Sequence, residues 1–357
     1  MLRFALVGCG RIAKRYGDLL ANGQINNAGL SAVCDIRKDR AQSYGEQYKI
    51  PWFLDMHEMM EKQKDQIDVL AILTESGNHG LHVLKLAPYG KHLVVEKPMA
   101  LTLDDADAMV KACVENKIKL FVVKQNRFNI PVQKLRAAID ANRFGKLVLG
   151  TVRVRWCRDQ KYYDNDPWRG TWAYDGGVIA NQASHHIDLL EWMMGDVESV
   201  FAKSITALVD IETEDTAVVV LKFRNGALGI IEATTAARPE DLEGSISILG
   251  ERGAVEIGGF AVNHMKVWKF ADHLDSEEEI MKKYSVNPPN VYGFGHKAYL
   301  EHVVDCITDD RQQLVDGLEG RRSLELISAI YESIETEREV FLRFKPKKCK
   351  LGQINRT

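Results

Sequence analysis

A glycine-rich turn directly after the first apolar segment restricts the fold of this chain more than any other feature. A short apolar run near the start predicts a buried strand, and the pattern Gly-x-Gly-x-x-Ala follows it at once, with Gly8, Gly10 and Ala13 in the fixed positions. Gly8 permits the tight turn, Gly10 lets the backbone approach a pyrophosphate, and Ala13 lets a helix pack closely on the strand. The amides at the start of that helix, which include those of Arg11 and Ile12, then face the phosphates. These residues therefore predict a dinucleotide-binding domain of the Rossmann type.

A carboxylate further along indicates the kind of dinucleotide. Asp35 ends a second apolar segment, at about the 20-residue distance from the glycines that such domains use. Its carboxylate can accept hydrogen bonds from both ribose hydroxyls of adenosine and would repel a 2′-phosphate, so it favours NAD over NADP. Arg37 and Lys38 follow closely and weaken this preference, and a helix N-cap is the alternative role for Asp35.

A lysine at the end of a later strand is the first candidate for chemistry. Strand and helix patterns alternate as far as residue 124 and predict a doubly wound parallel sheet. Within it, residues 93–95 form an apolar run typical of a strand covered on both faces. Pro98 ends that strand, so Lys97 is presented after Glu96 at the carboxyl end, where ligands bind in open α/β sheets. The alternative is a solvent-exposed lysine that closes an ordinary strand.

The remainder of the chain is interpreted as a second domain. At 357 residues the chain is too long for one typical core. Beyond Pro131, strands follow one another without intervening helices, which is the pattern of a mainly antiparallel sheet. We predict an α/β protein with a NAD-binding domain over residues 1–124, a substrate-binding and oligomerisation domain over residues 125–345, and a C-terminal tail over residues 346–357.

Composition and charge exclude several classes of function. The formal net charge of −3 gives no reason to expect nucleic acid or an anionic membrane surface as a partner. No apolar run approaches the roughly 20 residues of a spanning helix, and we expect no signal peptide. Six cysteines are scattered without a Cys-x-x-Cys pair, which indicates a reducing compartment and no structural metal. We therefore expect a cytoplasmic protein with a small-molecule partner.

Two polar segments of the second domain carry candidate binding groups. Residues 156–172 combine aromatic and cationic side chains with few aliphatic ones, and the planar guanidinium groups of Arg158 and Arg169 suit an anionic ligand. Arg153 and Arg155 share one face of a strand, and an exposed sheet face is the favoured interpretation for them.

The second of these segments follows a pair of glycines. The spacing predicts a helix in which Asn181, His185 and Asp188 share one face, since they are four and three residues apart. A zinc site is disfavoured, because asparagine is a poor zinc ligand and no cluster of cysteine or histidine helps. From the residues alone, a buried structural histidine is the alternative for His185.

The chain resembles the glucose–fructose oxidoreductase, inositol dehydrogenase and MocA (Gfo/Idh/MocA) family over essentially its full length. The resemblance rests on Gly-x-Gly-x-x-Ala, on Glu96-Lys97-Pro98 and on the His185-x-x-Asp188 helix start. It implies a Rossmann domain joined to an open-faced, mainly antiparallel sheet domain that commonly serves as an interface in dimers or tetramers. It also implies that Lys97 and His185 form the active-site pair. Many members carry an aspartate four residues before that histidine, whereas this chain has Asn181, which argues against a strict lysine–histidine–aspartate relay.

A closer resemblance is to one branch of that family, the bacterial UDP-2-acetamido-2-deoxy-D-glucuronate 3-dehydrogenases. It is carried by residues 121–127, 168–172, 181–185, 242–245 and 291–296. It implies NAD-dependent oxidation of the 3-hydroxyl of a nucleotide sugar, in the biosynthesis of surface polysaccharide such as lipopolysaccharide. The alternatives are a dehydrogenase or ketoreductase of another sugar or cyclitol, and a non-catalytic ligand sensor.

The resemblance implies the residues of the site as well. Those expected to contact NAD are Gly8, Gly10, Arg11, Ile12, Asp35, Thr74, Ser76, His79, Glu96, Lys97 and Gln125. Those expected to contact the substrate are Lys97, Arg158, Gln160, Tyr163, Arg169, Asn181, His185, Tyr292 and His296. Lys97 and His185 would share one substrate hydroxyl. The base stays unassigned: His185, with an ordinary pKa of about 6.5, needs little tuning, whereas burial beside a cationic nicotinamide must lower the pKa of Lys97 from about 10.4.

Overall fold

The computed structural model describes residues 1–285 and 295–342. Tyr292, expected above to contact substrate, and the whole tail of residues 346–357 lie outside the described residues. Within the described part of the chain, no helix is both long enough and apolar enough to cross a membrane.

The first part of the chain alternates strands with helices. Its strands are β1 (Leu2–Val7), β2 (Ala28–Cys34), β3 (Trp52–Phe53), β4 (Val69–Ile72), β5 (His92–Val95) and β6 (Leu120–Val122), and its helices are α1 (Arg11–Ala21), α2 (Lys38–Tyr48), α3 (Met56–Gln63), α4 (His79–Leu86) and α5 (Leu103–Glu115). The strands pair in parallel in the order β3-β2-β1-β4-β5-β6. The order reverses between β1 and β4, which creates a ligand crevice at the carboxyl ends of these strands. The predicted doubly wound parallel sheet is confirmed.

Local sequence explains where these elements begin. α5 starts after Thr102, whose side chain accepts a hydrogen bond from the Asp105 backbone amide at 3.1 Å. α3 starts after Asp55, whose carboxylate accepts from two backbone amides of the first turn. α1 differs, because Gly10 at its start supplies no side-chain cap and leaves the first amides without such a partner.

The second part of the chain contributes one large sheet. Its elements are α6 (Ile130–Asp140), β7 (Leu147–Arg155), α7 (Gln160–Asp164), α8 (Ser184–Met194), β8 (Val197–Ile205), β9 (Thr216–Phe223), β10 (Leu228–Thr234), β11 (Glu243–Gly250), β12 (Gly253–Gly258), β13 (His264–Phe270), α9 (Glu277–Lys283), α10 (Gly295–Thr308), α11 (Gly317–Thr336) and β14 (Val340–Phe341). The strand order is β13-β12-β11-β7-β10-β9-β8-β14, and only β7 and β10 pair in parallel. The predicted mainly antiparallel sheet is confirmed.

One face of this sheet packs on helices and the other is open. Apolar side chains of α8 and α11 cover the inner face. Arg153 and Arg155 lie on the other face, where Arg153 pairs with Glu243 at 3.1 Å and Arg155 with Glu232 at 2.6 Å. The interpretation of these two arginines as part of an exposed sheet face fits their position.

The two last helices connect the two cores. Tyr299 and Leu300 of α10 pack with Phe4 and Leu6 of the first sheet, although this helix follows the second sheet in sequence. α11 contributes Leu324 to the core of the first sheet and other residues to the core of the second. A boundary at residue 124 therefore divides the sequence, but it does not divide the packing, because residues from beyond it belong to the core of the first sheet.

The helix that carries His185 begins later than predicted. α8 starts at Ser184, so Asn181 lies in the preceding turn and does not share a helix face with His185 and Asp188. The Asn181 amide donates to the Gly177 carbonyl at 3.0 Å, and the Ser184 hydroxyl donates to the Asn181 carbonyl at 2.9 Å. The prediction is wrong for Asn181 because the turn after the glycine pair extends as far as residue 183.

Candidate active site

A cavity of about 1200 Å³ opens between the carboxyl edge of the first sheet and the second part of the chain. Every residue predicted to contact NAD lines it, from Gly8 in the glycine turn to Gln125 after β6. The predicted substrate residues that line it are Lys97, Arg158, Arg169, Asn181, His185 and His296. Side chains from both parts of the chain thus face one space.

Two predicted substrate residues do not reach this cavity. The Gln160 side chain donates to Asp164 at 2.9 Å and accepts from the Asp210 amide at 2.8 Å. Tyr163 is buried, with its hydroxyl 3.1 Å from that of Thr235. Tyr162 lines the cavity instead, because successive residues of a helix project about 100° apart.

The glycine turn is shaped for a phosphate group. Gly8 has φ +99° and lies so close to β4 that an added Cβ would meet the Leu73 carbonyl at 2.8 Å. A Cβ on Gly10 would meet nothing within 4 Å, although Gly10 lines the cavity. The open space beside Gly10 and the uncapped amides of α1 together fit the pyrophosphate of a dinucleotide.

Asp35 links the glycine turn to the loop that follows β2. One carboxylate oxygen accepts from the Cys9 amide and the other from the Arg37 amide, both at 2.8 Å. The carboxylate therefore fixes the glycine turn while lining the cavity at the end of β2. Arg37 pairs with Asp39 at 2.8 Å, so its charge is already compensated on the surface.

The loop after β4 forms another wall of the cavity. Thr74 Oγ1 lies 2.9 Å from His82 Nδ1, and Ser76 is buried. The two ring nitrogens of His79 lie 2.8 Å from the Pro98 carbonyl and 3.1 Å from the Thr74 carbonyl. His79 therefore joins the loops that follow β4 and β5, and burial lowers the pKa of its imidazole.

Glu96 is a buried carboxylate at the end of β5. One oxygen accepts from the Tyr16 hydroxyl at 3.0 Å and lies 3.8 Å from His296 Nε2, and the other accepts from the Lys97 amide at 3.2 Å. Burial alone would raise the pKa of Glu96, but the hydrogen bond and charge of His296, followed by the charge of Lys97, hold that pKa below its ordinary value. A negative charge thus lies directly behind Lys97.

The Lys97 ammonium group reaches across to the second part of the chain. Its Nζ donates to the backbone carbonyl of Asn181 at 3.0 Å and to the side-chain oxygen of Asn181 at 3.1 Å. Burial lowers the pKa of Lys97, the charges of Glu96 and Asp175 oppose this, and Arg169 reinforces it. The Lys97 side chain is therefore fixed by hydrogen bonds and partly desolvated, unlike a solvent-exposed lysine at the end of a strand.

His185 approaches the same space from α8. Its Nε2 lies 2.9 Å from the side-chain nitrogen of Gln125. With that amide donating, Nε2 carries the lone pair and Nδ1 the proton, an arrangement assigned from the contact. Burial, and then the charges of Lys97 and Lys124, hold the pKa of His185 well below its ordinary value, so the imidazole is neutral.

A carboxylate that the sequence pattern does not single out lies behind Asn181. The side-chain amide of Asn181 donates to one oxygen of Asp175, and the Gly170 amide donates to the other at 2.9 Å. Asp175 is 1% exposed, and burial raises its pKa to about 6. The signal that could have found it is the departure at Asn181 itself, because an amide in place of a carboxylate leaves room for a carboxylate elsewhere.

The contacts of Asp188 indicate a structural role. Arg127 donates to both of its carboxylate oxygens at 2.8 Å, and Lys124 Nζ lies 3.6 Å away. Lys124 and Arg127 flank Gln125, so the short turn after β6 holds α8 through Asp188 and contacts His185 through Gln125. The anchoring of Asp188, three residues after His185 on α8, therefore orients His185.

The polar segment after β7 crosses from the second part of the chain to the glycine turn. Asp166 lies 3.3 Å from a guanidinium nitrogen of Arg11, 3.9 Å from one of Arg40 and 3.0 Å from Nε of Arg169. The guanidinium of Arg169 also lies 4.5 Å from the ring centre of Tyr162. Arg158 pairs with Asp241 at 2.8 Å at the same rim. We call residues 159–172 the crossing segment.

Within the described part of the chain, no three histidine, cysteine, aspartate or glutamate side chains come together as a possible metal site.

A dinucleotide cradle with a lysine from the first sheet and a histidine from α8 in the same cavity defines a class of protein, the NAD-dependent oxidoreductases. Two family models match the chain: "Oxidoreductase family, NAD-binding Rossmann fold" over residues 2–124 and "Oxidoreductase family, C-terminal alpha/beta domain" over residues 136–342. The protein belongs to the Gfo/Idh/MocA oxidoreductase family, and its cofactor is NAD.

Solved structures and curated proteins narrow the comparison. The WlbA dehydrogenase from Chromobacterium violaceum, solved in complex with NADH and UDP-GlcNAcA, is 40% identical, with 97% of each chain covered and a TM-score of 0.90. The WlbA dehydrogenase from Bordetella pertussis, solved with the same two ligands, is 41% identical, with 96% of this chain and 98% of the other covered and a TM-score of 0.88. Myo-inositol 2-dehydrogenase from Thermotoga maritima is 27% identical over 351 residues, which cover 96% of this chain and 98% of the relative. This chain is therefore a dehydrogenase of the sugar and cyclitol type.

Proposed function

We propose that this protein oxidises the 3-hydroxyl of UDP-2-acetamido-2-deoxy-D-glucuronate to the 3-keto sugar with NAD. The observation that carries the proposal is that Lys97 from the first sheet and His185 from α8 line one cavity beside the glycine turn. The choice of sugar is supported by the two structures solved with UDP-GlcNAcA, to which this chain is 40% and 41% identical along nearly its whole length.

The chain offers NAD a complete set of contacts along one wall. The amides after Gly10 would hold the pyrophosphate, Asp35 the adenosine ribose, and Thr74 and Ser76 the nicotinamide half. When bound, NAD supplies a hydride acceptor for the substrate carbon that carries the hydroxyl group.

Lys97 and His185 would handle the hydroxyl proton. Asn181 takes two hydrogen bonds from Nζ of Lys97, so a charged Lys97 has one hydrogen left for the substrate oxygen. The neutral His185 would then accept the proton at Nε2, once the substrate hydroxyl takes the place of the Gln125 amide at that lone pair. A neutral Lys97 amine would instead offer its lone pair and act as the base itself. Both assignments use the same contacts, so the base stays open.

Basic groups at the rim of the cavity suit an anionic substrate. Arg158 and Arg169 are held by Asp241 and Asp166 with their guanidinium groups at the cavity wall. Planar guanidinium groups match the two-oxygen geometry of phosphates and carboxylates. A UDP-linked uronate carries both, whereas a free cyclitol carries neither, and this difference favours the nucleotide sugar.

We further propose that the protein acts as a homo-oligomer in the cytoplasm, in nucleotide-sugar biosynthesis for surface polysaccharide. The five cysteines of the described residues are free thiols, which suits a reducing compartment. Phe201, Val220 and Ile230 are exposed register neighbours on the open face of the large sheet. Such an apolar strip suits contact with a second copy of the chain.

Another sugar or a cyclitol is the second candidate substrate. It is supported by the match to myo-inositol 2-dehydrogenase along 96% of the chain, although at only 27% identity. Because family members share the dinucleotide cradle, only the substrate itself separates the two candidates.

A substrate panel tests the proposal. The purified protein is incubated with NAD and with UDP-2-acetamido-2-deoxy-D-glucuronate, UDP-N-acetylglucosamine, UDP-glucuronate, myo-inositol or free glucuronate, and NADH absorbance is followed. We expect the first compound to react most efficiently and a keto group at carbon 3 by NMR. If myo-inositol or free glucuronate has the highest kcat/KM of the panel, the nucleotide-sugar assignment is wrong.

A further inference from the structure

The hydrogen bonds behind Lys97 form a directed chain. Nζ of Lys97 donates to the side-chain oxygen of Asn181 at 3.1 Å, and the side-chain nitrogen of Asn181 donates to Asp175. The other oxygen of Asp175 accepts from the Gly170 amide at 2.9 Å. Every contact in this chain therefore has one donor and one acceptor.

The direction of the chain depends on the carboxylate. An asparagine side chain can present either its oxygen or its nitrogen to a neighbour, because the two orientations have nearly the same shape. An ionised carboxylate only accepts hydrogen bonds, so Asp175 compels the nitrogen of Asn181 to face it. The oxygen of Asn181 then faces Lys97. Without that constraint, the amide could rotate and set its own N–H groups against those of Lys97.

The position of Asp175 lets its charge act on Lys97. Asp175 is 1% exposed, so solvent does not screen it from the lysine. Its charge supports the charged form of Lys97, as Glu96 does from the end of β5. Arg169 of the crossing segment and Lys124 after β6 act in the opposite direction. Asp175 thus belongs to the set of charges that determines the protonation of Lys97.

We propose that Asp175 is a positioning residue that orients the oxygen of the Asn181 side-chain amide toward Lys97. Asp175 does not line the cavity, and it acts on the substrate only through Asn181 and Lys97. The inference rests on the proposed role of Lys97 at the substrate hydroxyl.

A reciprocal exchange of the two side chains tests this role. Asp175→Asn leaves an amide that accepts from Gly170 and turns its own nitrogen toward Asn181, so the Asn181 amide rotates and opposes Lys97. Asn181→Asp sets a second carboxylate against the buried Asp175. Each single variant should lose about 10- to 100-fold in kcat, the range for a lost hydrogen bond to a charged group. The double variant Asp175→Asn with Asn181→Asp restores every donor–acceptor pair, and we expect it to regain most of the kcat.

A second readout does not require turnover. Lys97 is labelled with an amine-reactive reagent across a pH series, and its peptide is quantified by mass spectrometry. In Asp175→Asn the loss of a negative charge should lower the labelling midpoint by about 1 in pH. The double variant should bring it back to the wild-type value or above. Glu212→Gln is the matched control, because Glu212 also accepts a hydrogen bond from a backbone amide of the crossing segment, that of Trp172 at 2.9 Å, but is exposed to solvent and does not line the cavity.

The outcomes separate this inference from the proposed function. If the midpoint shifts as expected but no UDP-sugar is oxidised, the proposed function is wrong and the positioning role stands. If the midpoint in Asp175→Asn equals that of wild type, or if the double variant is as slow as the product of the single effects, Asp175 only supports the fold and the inference is overturned.

Discussion

At the scale of single residues, the site contains ionisable side chains that are partly removed from water. Lys97 and His185 both have lowered pKa values, and in both cases burial is the largest cause. For each group, the deprotonated form, which carries a lone pair, is therefore more populated at a given pH than it would be in water. Such perturbed groups in a cavity are typical of residues that transfer protons.

Removal of either group should abolish most of the activity. We expect Lys97→Met and His185→Asn each to lower kcat by roughly 10²- to 10⁴-fold, the range for a positioned acid or base, while NADH binding measured by fluorescence stays intact. The pH profile of kcat/KM in the variant with more residual activity shows which limb has disappeared and so identifies the base. Turnover near the wild-type level in both variants would mean that the site has been assigned to the wrong residues.

Glu214 supports the turn before α8 and should make stability depend on pH. Its carboxyl group accepts from the Ile179 amide at 3.0 Å and from the Tyr331 hydroxyl at 3.1 Å, and burial raises its pKa to about 7. Because the folded protein favours the protonated form, this contribution to stability is complete below the unfolded pKa of about 4.3 and is lost as the pH rises through 7.

Glu214→Gln tests that dependence, because the amide cannot ionise. Measured by urea unfolding, the free energy of unfolding of the variant minus that of wild type should rise between pH 5 and pH 8. A rise on the order of 3 kcal/mol is expected over the whole titration. A difference that is the same at both pH values would show that Glu214 is already ionised in the folded protein at pH 5.

At the scale of elements, the crossing segment joins the two parts of the chain over the dinucleotide cradle. Asp166 contacts Arg11 at the start of α1 and Arg40 of α2, both on the first part of the chain, and Arg169 of its own segment. These contacts lie beside the glycine turn. The segment must therefore move if a bound dinucleotide is to leave on this side.

Asp166→Asn should speed the release of NAD. Partly exposed ion pairs contribute about 0.2–1 kcal/mol each, so we expect the release rate measured by stopped-flow fluorescence to rise about 3- to 10-fold. Added salt should speed release from wild type and have less effect on the variant. Asp164→Asn is the control, because this exposed carboxylate accepts a hydrogen bond from Gln160 and does not line the cavity. Equal release rates in both variants and wild type would contradict a role for these ion pairs.

The elements also explain what could be predicted from the sequence. Gly8, Gly10 and Asp35 could be predicted because a glycine turn between a strand and a helix is a local sequence feature. Lys97 could be predicted because the end of an apolar strand can be recognised in the sequence. Which of Tyr162 and Tyr163 faces the cavity could not be predicted, since a helix of five residues is too short for a periodic pattern to indicate its orientation. The asparagine at position 181 could have indicated a carboxylate nearby but not Asp175 in particular, because the contact between the two residues depends on a turn whose path has no sequence signature.

At the scale of the whole molecule, the open face of the large sheet carries a strip of exposed apolar side chains. Phe201, Val220 and Ile230 are 41%, 51% and 38% exposed and lie side by side on β8, β9 and β10. Leu228 and Leu149 form a second pair of neighbours on the same face. Exposed side chains of this kind mark an interaction surface when they are contiguous.

A charge in the centre of that strip should separate the subunits. We expect Val220→Glu to lower the mass measured by light scattering to that of a smaller species, since an unpaired carboxylate in an apolar interface is costly. Val114→Glu is the control, because Val114 is 70% exposed on α5. An unchanged mass for Val220→Glu would place the interface elsewhere, and a monomeric wild type would refute the proposed oligomer.

The return of α10 to the first sheet limits how this enzyme can be divided or recombined. The cofactor-binding half is assembled from two separate stretches of the chain, since Tyr299 and Leu300 complete a core that begins with Phe4 and Leu6. A chimera that exchanges only the first 124 residues for those of a relative would join an inherited helix to a foreign sheet. Cofactor preference in such proteins is therefore best altered by point substitution, or by grafting both stretches together.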